Sequence, residues 1–122
     1  MTGANHIPPS PEKIQDEMDK LMAWYENAEC LHPVERASVL HAKFMNIHPF
    51  SDGNGRTSRL LMNFELMKAK YPPITIEKDD RFNYYEVLDI SGLKGDYEPF
   101  IAFVAERAIT TLVYYLDFLD GN

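Results

Sequence analysis

Cysteine is almost absent: Cys30 is the single one in 122 residues. No internal disulfide can form, and a reducing, cytoplasmic compartment is the expected setting. Positive charge is scarce as well. Twelve Lys and Arg face nineteen Asp and Glu, for a formal charge of −7, which argues against general nucleic-acid binding. A small anion held by local basic groups is still compatible with that balance. No apolar run looks long enough to span a bilayer, so no membrane segment is expected here. Met1 to His6 does not resemble a signal peptide, although a targeting segment upstream of Met1 stays open. There is no internal repeat and no low-complexity tract. What remains, 45% hydrophobic and 25% charged residues, is the composition of an ordinary soluble globular domain with a modest core.

Helical periodicity dominates the chain. Ile7-Pro8-Pro9-Ser10-Pro11 reads as an extended lead-in, because a residue before proline is pushed out of the helical region. Ser10 as N-cap and Pro11 at the first helical position start a helix. Ile14, Met18, Leu21, Met22 and Tyr25 carry it to about Asn27. A second helix starts at Pro33, with Val34, Ala37, Leu40, His41 and Phe44 on one face, and ends against His48-Pro49. A third runs from near Gly55 or Arg56 to about Lys70. Its expected buried stripe is Leu60, Leu61, Phe64 and Met67, broadened by Met62 and Leu66, which suggests a central helix. Tyr71-Pro72-Pro73 stops it, and Ile74-Thr75-Ile76 is too short for a strand. Asp79 or Asp80 caps a fourth helix across Phe82, Tyr85, Val87, Leu88 and Ile90. Gly92 and Gly95 bound a loop. Asp96 with Tyr97-Glu98-Pro99 opens a last helix carrying Phe100, Phe103, Val104, Ile109, Leu112, Tyr115, Leu116 and Leu119. Five helices without a hairpin signal in the body of the chain predict an all-α domain.

Chemistry concentrates between the second and third helices, in His48-Pro49-Phe50-Ser51-Asp52-Gly53-Asn54-Gly55-Arg56-Thr57-Ser58-Arg59. A helix N-terminus offers unpaired N–H groups to an anion. Gly53-Asn54-Gly55 sits where such a turn would wrap a phosphate. Arg56 and Arg59 are three apart, so they share a helix face over that turn, and their planar forks suit phosphate oxygens. Asp52 is placed to hold a divalent cation such as Mg²⁺, whose other ligands would be phosphate oxygens and water. His48, with an unperturbed pKa of roughly 6.5, can take a proton from a hydroxyl near neutral pH. Phe50 is expected to anchor the loop in the core. Each of these residue types alone is more often structural, and it is their joint spacing that points to function. A Walker loop fails because Gly55 precedes Arg56 rather than Lys, and an EF-hand from Asp52 fails because its twelfth position is Asn63.

This segment resembles the Fic family signature HxFx(D/E)GNGRxxR and fills every fixed position of it. Leu31-His32-Pro33-Val34-Glu35, Ile47 through Asn63, Tyr71 through Ile76, and Tyr84-Tyr85 resemble the branch of animal chaperone-modifying members. The resemblance implies a Fic-type helical bundle with the active-site loop between two central helices. It implies that residues 1–122 are a single Fic catalytic core, the C-terminal part of a longer Fic domain. It further implies transfer of AMP from ATP to a Ser, Thr or Tyr hydroxyl of a protein. His48 would be the general base and Asp52 would hold Mg²⁺. Gly53, Asn54 and Gly55 would form the anion hole, Asn54 also touching phosphate, and Arg56 and Arg59 would bind the outer phosphates. Tyr84 and Tyr85 resemble the pair lining an adenine pocket; core aromatics are the other reading of each.

Three departures from the family pattern stand out. Family members carry a flap hairpin that aligns the target by strand addition, and only Thr2 to His6 is available for that short β segment. Many carry an inhibitory helix, (S/T)xxxE(G/N), whose Glu pairs with the second motif arginine. No such pattern occurs in this chain, so a missing N-terminal helix or a separate inhibitory chain would engage Arg59. The stretch Ser91 to Asp96 is one residue longer than the family's loop and lacks its asparagine. Gly55 stands where Doc-type kinases have Lys. Other readings are a nucleotide-binding interaction module without turnover, transfer of another nucleotide or a phosphoryl group, and a metal hydrolase built on His41, His48 and Asp52.

Overall fold

The structure, a computed structural model, describes residues 7–120. The short β segment expected within Thr2 to His6 lies outside them. Five α-helices follow one another: α1 (Pro11–Glu26), α2 (Pro33–Ile47), α3 (Asn54–Lys68), α4 (Arg81–Lys94) and α5 (Glu98–Asp120), with one 3₁₀ turn at Lys78–Asp80 before α4. The all-α expectation holds, and among the described residues Ile74-Thr75-Ile76 forms no strand.

The centre of the bundle is α2, which packs against α1, α3, α4 and α5. Its sequence explains this. Val34, Ala37, Val39, Leu40, Ala42, Phe44, Met45 and Ile47 are all buried and cover every side of the helix. Pro33 occupies the first helical position, and the His32 ring caps the helix, its Nδ1 accepting from the Val34 N–H at 3.1 Å. One core cluster joins α2, α3, α4 and α5 around Met62, Leu66, Tyr84, Leu88, Phe100 and Val104. A second joins α1 to α2 through Leu21, Leu40, Phe44 and Ile47.

Several expected core positions are corrected. Helix α3 has only α2 as a substantial neighbour, so it buries one face: Ser58, Met62, Glu65 and Leu66. Leu60, Phe64 and Met67 are 72%, 60% and 56% exposed. An apolar circumference does not by itself supply partners, and the central place went to α2. Phe50 is half exposed, touching Phe44 at a ring separation of 6.1 Å. Met22 and Phe82 face outward. Gly92 lies inside α4, which continues to Lys94 and ends at Gly95, left-handed at φ 66°. In α5, Phe100, Phe103, Val104 and Ala108 are buried, whereas Ile109, Tyr115, Leu116 and Leu119 are exposed, because the bundle ends about halfway along the helix. The expectation about bilayer-length segments is corrected too: by length and composition, α5 is long and apolar enough to cross a membrane.

Polar contacts lock the frame. The buried Glu65 carboxylate of α3 accepts from the Tyr25 hydroxyl of α1, pairs with Arg36 of α2 at 3.6 Å and with Lys68 at 3.1 Å. Arg36 also donates to the Tyr25 carbonyl at 3.0 Å and lies 4.0 Å over the Tyr25 ring. Asp80 does not cap α4 with its side chain; it pairs with Arg107 of α5 at 2.9 Å. Asn63 fastens the extended segment to α3, its amide bonding both the N–H and the carbonyl of Ile74 at 2.9 and 3.1 Å.

Candidate active site

Helix α2 ends at His48, whose backbone is left-handed at φ 55°, ψ 58°. A non-glycine residue there is strained, a feature that concentrates at functional sites. Its N–H still bonds the Phe44 carbonyl at 3.0 Å, closing the helix. The ring's Nδ1 is buried without a hydrogen-bond partner. With Nδ1 enclosed, a ligand that meets this ring would meet Nε2.

From His48 the chain makes a tight loop into α3. Asn54 closes it. Its buried side chain accepts from the Phe50 N–H at 3.0 Å and donates to the Phe50 carbonyl at 2.6 Å. The loop-fastening role expected of the Phe50 ring thus belongs to the Asn54 amide, and a phosphate would meet mainly the Asn54 backbone. Gly53 precedes the helix at φ 81°, a conformation that glycine adopts without steric cost. Its N–H donates to Asp52 Oδ1 at 2.9 Å. The first intrahelical bond is Thr57 N–H to the Gly53 carbonyl, 3.0 Å. The N–H groups of Asn54, Gly55 and Arg56 thus have no acceptor within the helix.

His48, Asp52, Gly53, Asn54, Gly55, Arg59, Tyr84 and Tyr85 all line one cavity of about 230 Å³, with Met45 and Ser51. Arg56 does not line it. Its guanidinium folds over Gly53, where an added Cβ would stand 3.5 Å from Nη2. The Arg59 guanidinium lies against Gly55, where a Cβ would stand 3.1 Å from Nη1. Among the described residues neither arginine has a carboxylate partner, in a chain with nineteen carboxylate side chains. Arg59, Tyr84 and Tyr85 also wall an adjoining groove of about 550 Å³ that runs over Asn63, Ile74 to Ile76 and Arg81. Asn63 and Arg81 were missed in the sequence. Asn63 was findable, since it follows Arg59 by one helical turn.

Tyr84 and Tyr85 pack edge to face at 4.9 Å. Tyr84 is almost fully buried and its hydroxyl bonds His41 Nε2 at 2.6 Å, so it is a core residue that offers the cavity only part of its ring. Burial pushes its hydroxyl well above the ordinary tyrosine range, with Tyr85 adding and Arg59 opposing. His41 stacks on Phe100 at 5.3 Å. It does not join His48 and Asp52 in a metal site: no group of three or more His, Cys, Asp or Glu able to hold a metal occurs among the described residues.

Burial pulls His41 down from 6.5 to about 4; the Ser58 backbone opposes this and the Arg59 charge adds to it. The fold accepts the neutral ring, whereas the unfolded chain protonates it below 6.5. The stability it contributes is complete above pH 6.5 and falls as pH drops toward 4. The expected loss is about 3 kcal/mol. Urea midpoints at pH 7 and pH 4.5 should show that loss in the parent chain. A His41→Gln variant should be weaker at pH 7 but flatter across the interval; equal slopes would exclude His41 as the source.

Comparison with known proteins follows the same lines. The Fic/DOC family profile matches residues 1–66. The protein adenylyltransferase Fic of Nematostella vectensis is 46% identical over 115 residues, 93% of this chain and 27% of that protein. The protein of the same name from Drosophila melanogaster is 47% identical over 113 residues, 91% of this chain and 23% of that protein. A Fic-1 fragment from C. elegans superposes with a TM-score of 0.84 at 34% identity, over 93% of this chain and 35% of that one. A Fic domain containing signaling protein from Bacteroides thetaiotaomicron gives 0.85 at 33% identity, over 100% and 53%. The chain spans about a quarter of the length of the curated relatives named here.

Proposed function

Since this chain belongs to the Fic/DOC family, we propose that it is the catalytic core of a protein adenylyltransferase, moving AMP from ATP to a Ser, Thr or Tyr hydroxyl of a protein. The observation that carries the reading is the shared cavity. The half-buried His48 ring, a turn whose N–H groups have no helical acceptor and an arginine without a carboxylate all line one space. In the proposed reaction the hydroxyl oxygen bonds the α-phosphorus while the bond to the bridging oxygen breaks. Pyrophosphate leaves, and the hydroxyl proton goes to His48 Nε2. The N–H groups of Asn54 and Gly55 and the Arg59 guanidinium stabilise charge on the phosphates, while Arg56 holds the outer end after swinging from Gly53. Positioning and charge, rather than covalent work by the protein, carry such a reaction.

Asp52 is the single carboxylate on the cavity wall. That donor set fits a Mg²⁺ ion that arrives with the nucleotide and keeps its phosphate and water ligands; it would not retain an ion by itself. When bound, the ion neutralises phosphate charge. The groove past Tyr85 takes the nucleoside, with Tyr85 rather than Tyr84 supplying the exposed ring. The open Arg59 guanidinium is also where a carboxylate from an inhibitory helix or chain would compete with phosphate. We read α5 as a bundle helix, with no membrane contact in the proposal.

One observation favours a second reading, nucleotide binding without turnover: among the described residues nothing bonds His48 Nδ1 to fix the ring's tautomer. Incubation with ATP labelled at the α- or the γ-phosphate, Mg²⁺ and candidate proteins separates the cases. α-Label on protein is expected. γ-Label would replace AMP transfer with phosphoryl transfer, and binding by calorimetry with no label on protein would leave the binding module.

A further inference from the structure

On a different side of α2 from the phosphate site, the face between α1, the end of α2 and the loop before α5 holds a second cavity, of about 490 Å³. Lys13, Lys20 and Lys43 line it against one acid, Glu17. That is a local excess of positive charge in a chain whose formal charge is −7. Glu17 is partly spent on Lys20, at 3.3 Å. Lys43 is the inner cation. Its ammonium lies 5.5 Å from the Trp24 ring and 5.1 Å from the Tyr97 ring, and it forms no ion pair among the described residues. Burial lowers its pKa, with Glu17 opposing. Burial likewise raises that of Tyr97, whose neutral hydroxyl is a donor on the same wall. Pro9, Leu21 and Ile47 supply apolar lining.

Shape and charge narrow the ligand. One half-buried ammonium flanked by aromatic rings matches a single negative charge. No arginine fork lines the space, as recognition of a phosphate dianion would favour. Lys13, Glu17 and Lys20 follow one another along α1 over seven residues, a rim of roughly 10 Å at the helical rise. About three residues of extended chain cover that length.

We propose that this cleft docks an acidic segment of the target protein, a carboxylate seated on Lys43 and Tyr97 and apolar neighbours lying over Leu21 and Ile47. The site is separate from the phosphate cavity. At about 3.6 residues per turn, Lys43 and Ile47 lie on the face of α2 opposite Met45 and His48. A segment held there runs past the end of the helix that carries His48. Assigning it to the modified protein rests on the transfer reading above; the binding of an acidic peptide does not.

The test is fluorescence anisotropy of the full chain with a short labelled peptide alternating Glu with Leu and Val, its Gln counterpart, and free hexanoate. The Glu peptide should bind about tenfold more tightly than the Gln peptide, and more weakly as salt rises. Lys43→Gln should lose about tenfold. So should Lys13→Glu combined with Lys20→Glu, on an exposed rim where folding is not at stake. Equal binding of the two peptides, no binding of either, or an unchanged affinity in the double variant would overturn the site. Hexanoate binding as tightly as the peptide would give the cavity to a small acid instead. ATP affinity measured on the same samples should not change. Peptide binding without α-phosphate transfer would remove the transfer reading and leave the cleft standing.

Discussion

His48→Ala should reduce AMP transfer by about 10²- to 10⁴-fold, the usual range for loss of a general base, while ATP affinity stays near that of the parent. The ring contributes to taking the hydroxyl proton and not to holding phosphate, so the loss should fall on turnover. Backbone strain supplies a second readout. His48 sits at φ 55°, where a non-glycine residue costs about 1–2 kcal/mol. Alanine keeps that strain and glycine relieves it, at some cost in unfolded-state entropy. His48→Gly is therefore expected to be as inactive as His48→Ala but more stable by about 1 kcal/mol. Transfer retained in both variants would remove His48 from the chemistry. Equal stability of the two would show that the left-handed end of α2 is not strained.

Glu65→Ala should cost about 3 kcal/mol in urea unfolding. One carboxylate there meets Tyr25, Arg36 and Lys68, which come from all three N-terminal helices. Removing it strands the Arg36 guanidinium, only 15% exposed, without its counter-charge. Breaking a buried pair from one side is far more damaging than replacing both partners. Glu65→Gln, which keeps an acceptor for the Tyr25 hydroxyl, should lose less. Adding Arg36→Met to Glu65→Ala should recover part of the loss, because the orphaned cation is gone. A Glu65→Ala cost below about 1 kcal/mol would reduce the network to a surface contact.

Such a network could not be read from residue order. Tyr25, Arg36 and Glu65 belong to separate helices, and no spacing rule links them. Glu65 is the one acid on α3, and nothing in its spacing marks it as buried. The same limit explains the reversal on α3, where Leu60 and Phe64 turned outward. Periodicity tells which residues share a face, and only the number of neighbouring helices tells which faces are covered. Helix ends were more legible. Pro33 and His48-Pro49 act through their own backbones, so local chemistry was enough.

The sequence by itself determined the five helices, most of their ends, and the segment from His48 to Arg59 that joins base, turn and arginines. Those features arise within a few residues, where sterics and hydrogen bonding are local. Tertiary structure decided that α2 is the centre. It brought Tyr84 and Tyr85 to the loop's cavity while tying the Tyr84 hydroxyl to His41, and it gave the Asn54 side chain to the Phe50 backbone. Those outcomes depend on which distant surfaces exclude water together, a property of the packed chain and not of any window along it.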